Sequence, residues 1–239
     1  MRDEERQFSV IIPTLQRSPI LEEVVLRCAR NSLVLEVLVI NNAPDPVPFT
    51  HPRMRVLQQD QNIFVNPAWN LGVREAAGSL IAIVNDDVLF EDEAFSNAAG
   101  ILRRGFFGIV GPDLSAYHDD STRRISHRLA RHDATTRWFG TFMCLRRKDY
   151  VPIPDELEIW GGDDWLILNQ RRPPAALIRT RFSTDMSTTS RAEEFRQRFD
   201  SEQRELARLL APVHGTRWWH RAQHIHGLVR NRLHLLTGR

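Results

Sequence analysis

Leu80, Ile81, Ala82, Ile83 and Val84 are apolar without interruption, and they run straight into Asn85, Asp86 and Asp87 before Val88, Leu89 and Phe90 resume the apolar pattern. With Gly78 before it and three β-branched residues within it, the run suits a central parallel strand covered on both faces; a surface strand would alternate. Ligands of open parallel sheets sit outside the carboxyl ends of the strands, so Asp86 and Asp87 stand where a ligand is expected. Two adjacent carboxylates there repel each other and lose hydration, which a divalent cation, and through it a diphosphate, would compensate. The competing reading is structural: Asp86, Asp87, Glu91 and Asp92 would simply favour the amino end of a helix beginning near Asp92.

The flanking sequence supplies the rest of such a sheet. Residues 8–12 predict a first strand, ended by Pro13 and Thr14, with a polar loop through Gln16, Arg17 and Ser18. Pro19 can open a helix whose inner face is Leu21, Val24, Val25 and Cys28, closed by Asn31 and Ser32. Residues 35–40 predict the next strand, ending in Asn41 and Asn42, and residues 54–58 a third. Asn66 followed by Pro67 reads as a helix N-cap with proline at the first helical position, and that helix carries Trp69, Leu71, Val73 and Ala77. Gly72 in its middle costs about 1 kcal/mol of propensity against alanine; its missing side chain serves either helix-to-sheet packing or room for a nucleotide or sugar. A helix over 93–104 and a strand over 106–110, stopped by Gly111 and Pro112, continue the alternation. Residues 113–137 have no clear period and predict short antiparallel pieces around a loop, and 138–145 a further strand. Strand and helix in alternation make an α/β fold with a mostly parallel sheet.

A second acidic cluster follows in Trp160-Gly161-Gly162-Asp163-Asp164-Trp165. The glycines let backbone pass close to a substrate, and Asp163 and Asp164 start a helix running toward Gln170. The pair can serve as helix caps, but the flanking indoles lower the local dielectric and each acid raises the pKa of the other, which is how a general base is tuned. Two such clusters in one chain favour a site.

These pieces together resemble the inverting, nucleotide-sugar-dependent glycosyltransferases of the GT-A fold, in the large family 2 group. The resemblance rests on Val10-Ile11-Ile12-Pro13-Thr14, Val37-Leu38-Val39-Ile40-Asn41-Asn42, Asn62 with Asn70-Leu71-Gly72, Asn85-Asp86-Asp87 and Gly161-Gly162-Asp163-Asp164-Trp165. It implies a Rossmann-like GT-A sheet with flanking helices. It also implies a donor site formed by Pro13, Thr14, Arg17, Asn41, Asn42, Asn62, Asn70, Gly72, Asn85 and Asp86, and Mn2+ or Mg2+ held by Asp86 and Asp87. Asp164, beside Asp163, would be the general base, and Trp160, Gly162 and Trp165 would meet the acceptor. The chain departs from the family in having Asn41 where an Asp is common and Asn85 at the first position of the DXD-type element. Where many relatives supply a metal-binding His, residues 182–187 offer Asp185, with His214 in reserve.

Composition limits the alternatives. A chain of 239 residues with 42% apolar content can bury a core. A net charge of +2, with Lys148 the sole lysine, demands no nucleic-acid partner. Cys28 and Cys144 are too few for a disulfide framework and no long apolar segment occurs, so a cytoplasmic protein is expected. The division expected is a catalytic domain over 1–190, with a nucleotide-binding half (1–112) and an acceptor-binding half (113–190), and C-terminal amphipathic helices over 191–239. In that tail Ala192, Phe195, Phe199, Leu206 and Leu209 trace one helical face. A second face runs through Trp218, Ala222, Ile225, Val229, Leu233 and Leu236 with Arg217, Arg221, Arg230 and Arg232, which fits docking to the core, a homo-oligomer or peripheral contact with a membrane. The expected partners are a nucleoside-diphosphate sugar, UDP-linked first, and a glycan, glycolipid or other hydroxyl acceptor in surface polysaccharide or glycoconjugate synthesis. A nucleotidyltransferase would show a Gly-rich basic loop after the first strand, and residues 13–18 contain no glycine. A non-catalytic sugar-nucleotide binder or scaffold is the other alternative, and Asp87 and Asp164 argue against it.

Overall fold

The computed structural model describes residues 7–118, 126–130, 138–184 and 193–221, with backbone alone for 193–197. The opening strands are β1 (Phe8–Thr14), β2 (Val34–Asn41), β3 (Met54–Gln58), β4 (Leu80–Val84) and β5 (Val88–Phe90). They are followed by β6 (Ile109–Pro112), β7 (His127–Leu129), β8 (Phe142–Arg146), β9 (Pro174–Leu177) and β10 (Phe182–Thr184). The helices are α1 (Leu21–Arg30), α2 (Val65–Glu75), α3 (Glu93–Arg103), α4 (Gly162–Leu168) and α5 (Glu193–Leu210). One eight-stranded sheet has the order β3-β2-β1-β4-β8-β6-β9-β7, and β5 pairs with β10 in a small antiparallel ribbon. The expected mostly parallel α/β sheet is present, with β8 antiparallel between β4 and β6 and β7 antiparallel on β9.

Side-chain alternation splits the core into two layers. Val10 and Ile12 of β1, Val37 and Val39 of β2, and Ala82 and Val84 of β4 pack on one face with α1 and α3. Ile11, Leu38, Ile40, Ile81 and Ile83 point the other way and meet α2, α4 and α5 through Ala68, Trp69, Leu166, Ile167, Leu206 and Leu210. β4 is buried along its whole length, as its unbroken apolar run predicts.

Three expectations need correction. α2 begins at Val65, with Phe64 before it at φ 64°, so Asn66 is no cap. Its side chain turns inward and donates to the carbonyls of Leu157 and Trp160 at 3.0 and 3.4 Å, because a buried amide with partners in a neighbouring loop gains more there than at an exposed helix end. Gly111 and Pro112 lie within a strand instead of stopping one. β8 covers β6 only as far as Val110, so Pro112 has no ladder partner on that side and its missing N–H costs nothing. Finally, Phe139–Thr141 is a turn of 3-10 helix, and the strand starts only at Phe142.

Candidate active site

The carboxyl ends of β1, β2 and β4 open on a cavity of about 530 Å³. From the loop after β4, Asn85, Asp86 and Asp87 line it; from β1 and the residues after it, Pro13, Thr14, Leu15 and Arg17; from the neighbouring loops, Asn42 and Asn62. The Thr14 hydroxyl donates to Asp86 Oδ2 at 2.6 Å while accepting from the backbone N–H of Gln16 at 2.8 Å. One hydroxyl thereby ties the end of β1 to the end of β4 across the parallel pair. Burial pushes the Asp86 carboxyl up to about 6; the Thr14 hydrogen bond opposes this and the neighbouring Asp87 charge adds to it. Burial likewise raises the Tyr117 phenol, with its Thr141 hydrogen bond opposing and the charge of Asp87 a smaller contributor in the same direction.

The second acidic pair reaches the same cavity. Gly161, at φ 75°, precedes α4 and turns the chain so that Asp163 and Asp164 fall in its first turn, facing the cavity. Burial and the adjoining Asp164 charge raise Asp163, and burial raises Asp164. Asp163 packs on Gly140, where an added Cβ would lie 2.9 Å from its Oδ2. Trp160 and Ile159 complete this wall, and Phe199 and Gln203 of α5 stand beside them.

Several expected site residues lie elsewhere. Asn41 shapes the loop after β2 instead of facing the cavity: its Nδ2 donates to the Asp45 carbonyl and Gln58 Oε1, both at 2.7 Å. Asn70 donates to the Ile153 carbonyl and accepts from Tyr150 and the Ile153 amide. Gly72 abuts Ile11, whose Cγ2 would be 2.5 Å from an added Cβ, so its missing side chain serves packing and leaves no room for a nucleotide. Gly162 is pressed on Asn66, with 2.0 Å between a built Cβ and Oδ1. Trp165 donates its indole N–H to the Pro152 carbonyl at 3.0 Å. None of these five lines the cavity. Asp185 falls outside the described residues, and His214 is exposed in the turns after α5.

Sequence reasoning missed Phe64, Trp69, Gly140, Thr141, Phe199 and Gln203 as lining residues. Phe64 carries a positive φ that a bulky residue adopts only when held. Its N–H donates to Asn62 Oδ1 at 2.9 Å, and the Arg198 guanidinium lies 4.5 Å above its ring. No sequence signal marks such a conformation, and Phe199 falls on an apolar helical stripe whose pattern by itself indicates packing.

Residues 9–157, more than half of the chain, match the family model described as Glycosyl transferase family 2. Asp86 and Asp87 lie inside that span; Asp163, Asp164 and all of α5 lie beyond it. Among solved structures the fold is similar to S. aureus TarS 1-349, with a TM-score of 0.60 and 15% identity over 89% of this chain and 66% of that one. The chain spans only 40% of the longer TarS. It is also similar to the mannosyltransferase PcManGT from Pyrobaculum calidifontis, solved with GDP-Man and Mn2+ (TM-score 0.56, 16% identity, 95% of this chain and 75% of that one). TarS 1-349 has also been solved with UDP-GlcNAc (TM-score 0.58, 16% identity, 89% of this chain and 67% of that one). Identities this low speak for the fold. No curated protein matches the chain in sequence.

Proposed function

The chain belongs to glycosyl transferase family 2, and from that membership we propose that it moves a sugar from a nucleoside-diphosphate donor, UDP-linked first, to an acceptor hydroxyl with inversion at the anomeric carbon. The observation that carries this reading is the convergence of two acidic pairs, Asp86 with Asp87 and Asp163 with Asp164, on one cavity at the carboxyl ends of the central strands. One pair suits the donor's diphosphate and the other the acceptor's proton. TarS solved with UDP-GlcNAc and PcManGT solved with GDP-Man support a sugar-nucleotide donor while leaving the base open between them.

Asp86 and Asp87 form a two-carboxylate set, and among the described residues no three His, Cys, Asp or Glu side chains come together to hold an ion. Such a set fits Mn2+ or Mg2+, which take one or two carboxylates and complete their shell with substrate phosphate oxygens and water. When bound, the ion would neutralise the charge that develops on the departing diphosphate.

The protein's own part is positioning and proton transfer. Thr14 holds Asp86 at 2.6 Å and sets its direction. Pro13, Arg17, Asn42, Asn62 and Asn85 line the donor space. Asp164 accepts the proton of the attacking hydroxyl as that oxygen bonds to the anomeric carbon and the bond to the diphosphate oxygen breaks. The proton ends on Asp164 and the electron pair on the nucleoside diphosphate, so no covalent enzyme intermediate forms. A surface polysaccharide or glycoconjugate is the proposed product class.

The test is a thermal-shift titration of the protein with UDP, GDP, dTDP and CMP, each with and without Mn2+. A nucleotide present at a hundredfold excess over its dissociation constant stabilises by about 2.7 kcal/mol, which for a chain of this length is a rise of roughly 5–10 °C. A Mn2+-dependent rise with one nucleoside diphosphate supports the donor site and selects its base. No rise with any of the four overturns it.

A further inference from the structure

One face of α5 is pressed against the loop that leads into the second acidic pair. Glu202, a buried carboxylate, accepts from the backbone N–H groups of Ile159 and Trp160 at 2.9 and 2.7 Å through the same oxygen. One turn before it, Arg198 pairs with Glu158. One turn after it, Leu206 fills the space over Gly161, where a built Cβ would lie 2.6 Å from Cδ2. Residues 198, 202 and 206 recur every fourth position, so a single helical stripe holds the loop at successive points. Phe199 and Gln203 are each one residue further round, and both line the cavity. The Phe199 ring stands at 86° to that of Trp160 with centroids 5.2 Å apart, and Phe199 remains 42% exposed.

Packing alone explains Glu202 and Leu206, which are buried. It does not explain an aromatic left open at the cavity wall beside an amide. Two perpendicular aromatic planes form a corner that suits a ring with apolar C–H faces and polar edges, and the Gln203 amide can serve such an edge as donor and acceptor. Resting on the glycosyl-transfer reading, we infer that α5 builds the acceptor subsite: Trp160, Phe199 and Gln203 receive a pyranose ring of a carbohydrate acceptor, and Glu202 is the positioning residue that fixes Trp160. The family match ends at residue 157, just before this wall begins.

The experiment uses the full chain, the UDP-sugar or other donor chosen by the nucleotide titration, and a panel of p-nitrophenyl pyranosides as acceptor probes. Wild type is expected to glycosylate at least one. Phe199→Ala is expected to raise the KM for that pyranoside at least tenfold while retaining the nucleotide-induced melting shift and the donor KM, and Phe199→Trp to restore it. Glu202→Gln is expected to raise the same KM while the donor KM stays. An unchanged acceptor KM in Phe199→Ala, or a raised donor KM instead, overturns the assignment. So does donor turnover by wild type with no pyranoside glycosylated, which excludes a carbohydrate ring. Failure of the underlying reading looks different, because wild type then shows neither a nucleotide-induced shift nor donor turnover.

Discussion

Asp86 carries opposing demands. Its carboxyl titrates near 6 because burial outweighs the Thr14 hydrogen bond, so the folded chain binds that proton more tightly than the unfolded chain does. A raised carboxylate pKa means that the folded state is penalised once pH rises above the unfolded value, and the penalty is complete above about 6. Without ligand, Asp86→Asn is therefore expected to stabilise the protein at neutral pH by ~1–2 kcal/mol, after discounting for the carboxylate's partial exposure, and to lose that advantage at about pH 4. With Mn2+ and the matching nucleotide the order should invert, since only the ionised carboxylate supports the complex. Thermal melts of both forms at two pH values, with and without ligand, decide it; an amide variant no more stable than wild type at neutral pH removes the desolvation account. Asp164 separates binding from chemistry at the same scale. Asp164→Asn is expected to cut transfer ~10²- to 10⁴-fold while the nucleotide-induced melting shift survives. Loss of both together would assign Asp164 to donor binding instead.

Among the elements, α2 shows what a local pattern can and cannot carry. Its existence follows from apolar spacing, but its start does not, because Asn66 obeys partners near residues 157–160 that no short window contains. Strands β1, β2 and β4 follow from their own apolar runs for the opposite reason: each is largely buried by its own period and by neighbours of the same kind, whereas β3 at the sheet edge is partly exposed. Asp86, Asp87, Asp163 and Asp164 could be picked out because carboxylates in pairs are costly without a purpose. Phe199 and Gln203 could not, since their role depends on how α5 lies against a loop some forty residues earlier. Gly72 shows the same dependence on partners. Its Cβ position is taken by Ile11, so Gly72→Ala should overpack the interface by ~1–3 kcal/mol, against a propensity gain of about 1 kcal/mol. The expected result is a lower melting temperature with an unaltered nucleotide-induced shift. A normal melting temperature with the shift abolished would restore the ligand-room reading.

Taken as a whole, the chain packs C-terminal residues against its core, one of the fates that the amphipathic pattern after residue 191 left open. Among the described residues no helix is long and apolar enough to cross a membrane, and Trp219 is fully buried although Trp218 beside it is more than half exposed. The Trp219 indole donates to the Gln170 carbonyl at 3.3 Å, and the Gln170 amide in turn bonds the carbonyls of Asp149 and Leu166 at 3.1 Å. The tail thus reaches the end of α4, the helix that presents the second acidic pair. Truncating a buried tryptophan to alanine costs ~3–5 kcal/mol, or roughly 6–20 °C for a chain of this size. Trp219→Ala, and a chain ended after Pro212, are both expected to melt lower by that order, whereas Trp218→Ala, at an exposed ring, should shift the midpoint far less. If the shortened chain kept the wild-type melting temperature and lost only its binding to anionic vesicles, the segment would belong to a membrane surface and not to the core.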